Sequence, residues 1–181
     1  MTDQEMWNNA VAVVRAEYGG LPEPVRAKVY SLSASIQRLK AEIASIPEKK
    51  GASGACFSCG GRCCERGKYH FSAIDLLVYL ATDRELFDPC FDQASCPYLG
   101  AEGCHMAPAY RPYTCITFHC DRLEGLLSPA EVERLYELER SLRSRYAMIE
   151  ELFDRRMTQG LLLSYGRCVE GKCSGILAGT S

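Results

Sequence analysis

Cysteine is the residue type with the clearest chemical potential in this sequence, because nine of the eleven cysteines lie between residues 56 and 120. Four of them fall within nine residues, in the stretch Cys56-Phe57-Ser58-Cys59-Gly60-Gly61-Arg62-Cys63-Cys64. Two residues separate the first pair of thiols, a spacing that lets both sulfurs reach one metal ion at about 2.3 Å. The Gly-Gly pair lets the backbone fold tightly around a bound group. The pattern therefore favours a metal ion or an iron–sulfur cluster held by thiolates.

Eight cysteines of the central region are the candidate ligands: Cys56, Cys59, Cys63, Cys64, Cys96, Cys104, Cys115 and Cys120. Eight thiolates fill two four-coordinate sites, or one cluster with four thiols left over. Adjacent side chains in an extended segment point to opposite sides, so Cys63 and Cys64 serve different partners, unless one of them is a buried thiol and no ligand. The spacing assigns no role to Cys90, Cys168 and Cys173.

A disulfide framework is the alternative interpretation of clustered cysteines, and three features of the sequence oppose it. The N-terminus has no basic stretch followed by an apolar run, and the number of cysteines is odd. A chain of 181 residues with 47% apolar composition can also build a core without cross-links. We therefore expect a cytoplasmic protein whose reduced thiols are available for metal.

Charge and hydropathy argue against two classes of partner. The net charge is -2, with 21 basic and 23 acidic residues well mixed, so there is no electrostatic reason to expect nucleic acid. The apolar runs are far shorter than the roughly 20 residues that span a bilayer, so we expect no membrane segment.

Helical periodicity in the flanking segments predicts a mainly α fold around an irregular cysteine-rich centre. We expect an N-terminal helical hairpin formed by helices near residues 4–18 and 25–46. The second of these carries a heptad seam: Val25, Val29, Leu32, Ile36, Leu39, Ile43 and Ile46. The seam packs on the protein's own C-terminal helix or forms a homodimer contact, and three heptads do not decide between these alternatives.

Two further helix starts carry capping signals. Ser72 with Asp75 predicts a short helix over 73–81, and Ser128-Pro129 with Glu131 predicts a long helix that reaches about residue 157. Residues 88–120 lack periodicity, so their order is expected to come from bound metal and packing. The small-residue tail after Cys173 is expected to be mobile. The chain thus divides into a helical hairpin (1–50), a cysteine-rich region (51–125) and a C-terminal helix with its tail (126–181), within one compact domain.

More motifs follow the first cluster: Cys96-Pro97-Tyr98-Leu99, Gly103-Cys104, Tyr110-Arg111-Pro112, Cys115 and Phe118-His119-Cys120. Together with the stretch from Cys56 to Cys64, they resemble the bacterial CxxCxxCC family of zinc- or iron-chelating proteins, often called YkgJ-like, over about residues 53–122. Eight cysteines recur in that family, with an Arg-Pro pair before the last two. This chain departs from the pattern, since three residues separate Cys59 from the cysteine doublet where the family name specifies two.

The resemblance implies that the eight cysteines bind zinc or an iron–sulfur cluster. A related cysteine-rich region occurs in flagellin lysine methylases, where it resembles an iron–sulfur centre. Arg111 is a candidate for stabilising the anionic thiolate site, and its alternative role is that of a surface arginine in a turn. His70, His105 and His119 are expected to pack or to lie just outside the ligands, with His119 the candidate nearest the last cysteine.

Glycine-rich and proline-containing surroundings favour an iron–sulfur cluster, such as a 4Fe–4S cluster, over zinc, because backbone amides can approach the sulfides closely. The sequence thus predicts a metal-chelating protein of unknown reaction. An iron–sulfur-dependent redox or group-transfer enzyme related to the methylases is one alternative, and a structural zinc-binding interaction module is another. The sequence shows no Ser/His/Asp spacing, phosphate loop or dinucleotide fingerprint, which favours the chelating protein. A pocket beside the metal would favour the enzyme if it were lined by Tyr69, His70, Tyr110 or His119.

Overall fold

The computed structural model describes residues 1–51, 67–93, 96–100 and 103–177. Four of the candidate ligands, Cys56, Cys59, Cys63 and Cys64, lie outside these ranges. The described residues form a mainly helical fold, which confirms the fold class predicted from the helical periodicity.

Long helices near both ends of the chain flank a centre of short helices and one small hairpin. In chain order the helices are α1 (Asp3–Gly19), α2 (Glu23–Glu48), α3 (Ala73–Ala81), α4 (Tyr113–Thr117), α5 (Asp121–Glu124), α6 (Pro129–Leu152) and α7 (Leu161–Val169). The strands β1 (Leu99–Gly100) and β2 (Gly103–Cys104) are antiparallel, and 3-10 turns cover Gly67–Tyr69 and Pro108–Tyr110. Within the described ranges, no helix has the length and apolar character needed to cross a bilayer.

Helix α3 is the central element of the bundle. It packs against both α1 and α2, while α1 also contacts α7 and α2 also contacts α6. Ile74, Leu76, Leu77 and Val78 follow one another closely in α3, and each is 0% exposed. Apolar residues on all sides of a helix are typical of a buried one, so α3 forms the middle of the core.

The heptad seam of α2 is buried within the chain. Val29 and Ile36 are 0% exposed and Ile43 is 1% exposed. Helix α6 packs against α2 and contributes its own apolar stripe, in which Leu142 and Ile149 are 0% exposed. The structure thus gives the seam an internal partner, and a homodimer contact through residues 25–46 stays a prediction.

Replacing Ile36 by aspartate is expected to unfold the monomer, because the carboxylate would be buried without a partner. We expect the free energy of unfolding to fall by about 4 kcal/mol or more. Urea unfolding followed by circular dichroism measures this loss. Ala41→Asp is the matched control, since Ala41 is an exposed residue of the same helix and should change stability by no more than about 0.5 kcal/mol. A folded Ile36→Asp monomer released from a dimer would instead show that the seam is intermolecular.

Both predicted helix starts are confirmed. The Ser72 hydroxyl accepts a hydrogen bond from the backbone N–H of Asp75, and the Asp75 carboxylate accepts one from the backbone N–H of Ser72. Ser128 and Glu131 form the same reciprocal capping box at the start of α6. These bonds satisfy backbone donors that have no partner within the first turn of a helix.

Helix α6 ends at Leu152, earlier than the predicted end near residue 157. Asp154 has a positive φ of 48°, which is incompatible with continuing a right-handed helix. The Glu150 carboxylate then accepts hydrogen bonds from the backbone N–H groups of Met157 at 2.7 Å and Thr158 at 3.1 Å. A side chain of the last turn therefore redirects the chain, which a hydrophobic stripe does not reveal.

The C-terminal segment differs most from the prediction. Helix α7 occupies a stretch to which the sequence analysis assigned no helix, and its first residues are buried. Residues 174–177, expected to be mobile, are docked: Ile176 and Leu177 are each 2% exposed. Their backbone N–H groups donate to the Glu17 carboxylate of α1. Buried apolar area and an acceptor supplied by a distant helix therefore order this part of the tail.

Aromatic side chains hold the irregular centre against the helices. The ring of Trp7 in α1 lies 5.0 Å from the ring of Phe71 and 5.9 Å from that of Tyr98. Phe87 packs edge-on against Tyr98 with ring centroids 5.3 Å apart. Such pairs contribute about 0.5–1.5 kcal/mol each beyond the area they bury. Packing thus orders part of the segment that lacks periodicity.

Candidate metal centre

The described cysteines of the predicted ligand set differ in burial and in secondary structure. Cys96 is buried, whereas Cys104 at the end of β2 and Cys115 in α4 are partly buried. Cys120 is exposed and forms the N-cap of α5. All four belong to short elements or loops, so the tertiary fold of the centre decides which thiols meet.

Cys96 lies against the 3-10 turn that begins at Gly67. A Cβ atom built on Gly67 would overlap Sγ of Cys96, so the close approach requires glycine at this position. The Tyr98 hydroxyl donates a hydrogen bond to the backbone carbonyl of Lys68 at 3.3 Å. These contacts fix Cys96 beside a residue that follows Cys64 by three positions in the sequence.

The hairpin sets the position of Cys104 relative to Cys96. Leu99 of β1 pairs with Cys104 of β2. The backbone N–H of Leu99 donates to the Cys96 carbonyl at 3.0 Å, and the N–H of His105 donates to the Tyr98 carbonyl at 2.9 Å. A tight turn followed by a hairpin therefore links two cysteines of the predicted set.

His70 contacts another cysteine of the set. Its Nδ1 atom lies 3.4 Å from Sγ of Cys115. The backbone N–H of His70 donates to the Gly67 carbonyl at 2.9 Å. Burial lowers the pKa of the imidazole, and the nearby charge of Asp75 opposes that effect. The turn over residues 67–70 therefore contacts both Cys96 and Cys115, a convergence that the sequence spacing alone did not reveal.

Two buried tyrosines lie close to the same thiols. Burial raises the pKa of Tyr98 far above its ordinary value, and the charges of Cys96 and Cys115 raise it further. Burial also raises the pKa of Tyr79, with the charge of Cys104 as the next cause. Because the interaction between charges weakens with distance, Cys96 and Cys115 lie within electrostatic reach of Tyr98, and Cys104 lies within reach of Tyr79.

We expect the protein to lose stability steeply above about pH 10, the ordinary pKa of tyrosine. Tyr79, Tyr98 and Tyr146 all have raised pKa values in the folded state, chiefly because of burial. A raised pKa stabilises the fold below the unfolded-state pKa, and that contribution is lost as pH rises toward the folded-state value. Each tyrosine then removes about 1.4 kcal/mol of unfolding free energy per pH unit.

Alkaline titration followed by tyrosinate absorbance and by circular dichroism measures this effect. The buried tyrosines should ionise together with the loss of helical signal. Ionisation of all ten tyrosines in a protein that keeps its helical signal would contradict the expectation.

A buried polar network, which the sequence analysis missed, connects three helices beside this region. Lys40 Nζ of α2 lies 2.8 Å from Asp75 Oδ1 of α3, and both side chains are 0% exposed. The hydroxyl of Tyr146 in α6 donates to the same oxygen at 2.6 Å, and the Ser72 hydroxyl donates to Oδ2 at 2.6 Å. Lys40 lies four residues after Ile36, on the buried face of α2. A lysine on the buried face of a helix was the sequence signal that could have revealed this network, since a buried charge needs a partner.

The two residues predicted to lie just outside the ligands have other contacts. Arg111 Nε donates to the Met106 carbonyl at 3.2 Å, which holds the loop before α4. His119 lines a cavity of about 20 Å³ together with Thr117 and Glu124, and burial lowers the pKa of its imidazole. A cavity of that size holds about one water molecule. Roles for Arg111 and His119 beside a metal stay predictions.

Cys168 and Cys173, which received no role from the spacing, form a disulfide. The sulfurs of this pair are therefore joined to each other, unlike the reduced thiols expected for the metal ligands. Cys90 is exposed, and its backbone N–H donates to the Pro97 carbonyl at 2.8 Å. The side chain of Cys90 thus lies at the surface of the loop that carries Cys96.

A surface groove of about 550 Å³ lies along the start of α6. It is lined by Leu127, Pro129, Val132, Glu133, Tyr136 and Arg140. Tyr69, His70, Tyr110 and His119, the residues whose pocket would favour an enzyme, do not line this groove. The groove therefore gives no support to the enzyme alternative.

Within the described ranges, no group of three or more His, Cys, Asp and Glu side chains is arranged to hold a metal ion. Closed zinc and iron–sulfur sites usually need four protein ligands. A closed site that includes Cys96 and Cys115 therefore also needs ligands from outside the described ranges, where Cys56, Cys59, Cys63 and Cys64 lie.

Comparison of the chain with protein-family models, with curated proteins and with solved structures finds no match. The residues of the chain and their contacts are therefore the basis for its proposed function.

Proposed function

We propose that this protein chelates metal, binding an iron–sulfur cluster or zinc through its clustered cysteine thiolates. The observation that carries the proposal is the convergence of Cys96 and Cys115 on the turn over residues 67–70. In the sequence this turn comes shortly after the stretch that holds Cys56, Cys59, Cys63 and Cys64, four of the six other cysteines of the candidate set.

Covalent geometry supports the participation of the cysteine doublet. Cys64 precedes Gly67 by three residues, and three residues of extended chain span at most about 10 Å. Gly67 contacts Cys96 directly, so a short stretch of chain separates the cysteine doublet from a residue in contact with the Cys96 thiol. This short separation is compatible with a site shared by the doublet and Cys96.

The chemistry of the neighbouring groups also suits anionic ligands. His70 has a ring nitrogen within hydrogen-bonding distance of Cys115 Sγ, and an N–H on that nitrogen would stabilise a thiolate. An iron–sulfur cluster would supply redox chemistry or substrate binding at such a site, whereas zinc would supply a structural cross-link. The glycine-rich stretch and the resemblance to the CxxCxxCC family favour the cluster, and zinc is the alternative.

Anaerobic purification followed by metal analysis, sulfide analysis and visible absorption tests the proposal. Iron and acid-labile sulfide in a brown protein would support the cluster. A colourless protein with at least one tightly bound zinc per chain would support the zinc alternative. A folded protein that holds neither metal under these conditions would refute the proposal, because clustered thiolates retain such metals tightly.

A further inference from the structure

We propose that Cys168 and Cys173 are a reversible redox site whose disulfide holds residues 174–177 of the C-terminal segment on α1. The pair lies at the end of α7, outside the candidate metal ligands. The proposal does not depend on metal binding, and the two can be tested separately.

A glycine turn brings the two cysteines together. Gly171 follows the end of α7 with a positive φ of 73°, and its backbone N–H donates to the Cys168 carbonyl at 3.0 Å. A left-handed glycine just past a helix end reverses the chain at little steric cost. The reversal leaves the Cα atoms of Cys168 and Cys173 4.6 Å apart, within the range that disulfides span.

The chain just beyond the disulfide is fixed next to it. Sγ of Cys168 lies 3.4 Å from the carbonyl oxygen of Gly175. The same oxygen accepts a hydrogen bond from the Arg155 guanidinium. The disulfide and this hydrogen bond together fix the position of the backbone that leads into Ile176.

The next two residues are docked on α1. The Glu17 carboxylate accepts hydrogen bonds from the backbone N–H groups of Ile176 at 3.1 Å and of Leu177 at 2.8 Å. Both side chains are 2% exposed and belong to the main hydrophobic core. Residues 174–177 can reach α1 in this way only if the chain turns back beside the end of α7. The disulfide between Cys168 and Cys173 holds the chain in that turn.

A dithiol reductant can reach the bond, because residues 169–172 and Ser174 are exposed around it. A thiolate of the reductant attacks one sulfur of the protein, which breaks the S–S bond and forms a mixed disulfide. The second thiol of the reductant then displaces the protein sulfur. Two electrons and two protons pass to the protein, which gains two thiols, and the reductant becomes a disulfide.

Reduction removes the cross-link, so residues 174–177 are then held by their non-covalent contacts and by the peptide chain through residues 170–173 alone. We therefore expect the amides of Ile176 and Leu177 to exchange with solvent deuterium about tenfold faster, or more, in the reduced protein. The amides of α6 should keep their protection, because the disulfide constrains the tail and not the helical bundle.

Hydrogen exchange of the full-length protein before and after treatment with dithiothreitol tests the proposal. Alkylation and mass spectrometry establish whether Cys168 and Cys173 are paired before treatment and free after it. The double variant Cys168→Ser/Cys173→Ser should show fast exchange of Ile176 and Leu177 without reductant and no further response to it. This variant separates the proposed effect from any action of the reductant on the central cysteines.

Glu17→Ala provides a second variant on a different element. It should accelerate exchange of the same two amides in the oxidised protein while leaving the disulfide intact. Equal exchange of residues 176 and 177 in the oxidised protein, the reduced protein and the double serine variant would overturn the proposal. Finding Cys168 and Cys173 unpaired after purification and mild oxidation would overturn it as well.

Discussion

Cys59→Ser and Cys115→Ser are each expected to remove most of the bound metal. Each substitution replaces a proposed thiolate ligand by a hydroxyl, which binds zinc and iron–sulfur clusters far more weakly. Metal content per chain, measured on anaerobically purified variants, should fall several-fold. Protease should then cut within residues 88–120, because part of the order of this segment is proposed to depend on ligation.

Three cysteine variants serve as matched controls for this loss. Cys90→Ser changes an exposed thiol of the same region, while Cys168→Ser and Cys173→Ser change the disulfide pair. All three should keep the metal content of the unchanged protein. Full occupancy in Cys59→Ser and Cys115→Ser, or loss of metal in the controls, would show that the site is built from other cysteines.

Lys40→Met is expected to reduce the free energy of unfolding by about 3–5 kcal/mol. The substitution keeps the length of the side chain but leaves the Asp75 carboxylate buried without its cationic partner. Tyr146 and Ser72 still donate to the carboxylate, yet neither neutralises its charge. Chemical denaturation followed by circular dichroism measures the loss.

Two comparisons isolate the cost of the unpaired charge. Lys50→Met removes a lysine from the partly exposed ion pair with Glu131 and should cost less than about 1 kcal/mol. The double variant Lys40→Met/Asp75→Asn removes both buried charges and should recover part of the lost stability. A Lys40→Met variant as stable as Lys50→Met would mean that the buried pair contributes little.

The regular elements follow from local sequence. Helices α3 and α6 begin where their capping residues Ser72 and Ser128 predict, and α2 begins at Glu23, two residues before the start that its periodicity predicted. Capping bonds and apolar stripes act over a few residues, so a single stretch of sequence contains the information. The end of α6 was less predictable, because Glu150 redirects the chain through hydrogen bonds to residues beyond the helix.

The candidate site was likewise predictable only in part from the sequence. Spacing and chemistry identified the cysteines themselves, since thiol type and chain separation are local properties. The contact of His70 with Cys115 joins residues 45 positions apart, and Gly67 meets Cys96 across a gap of 29 positions. No period or motif connects such positions, because the irregular segments between α3, the hairpin and α4 decide where the chain returns.

Only the tertiary structure decided the long-range polar contacts. Lys40, Asp75 and Tyr146 meet because α2, α3 and α6 pack around one point of the core. Glu17 meets Ile176 and Leu177 across almost the whole length of the chain. The segment around each group does not identify its partner, because a charge or a backbone N–H that is removed from water pairs with whatever group the fold places beside it.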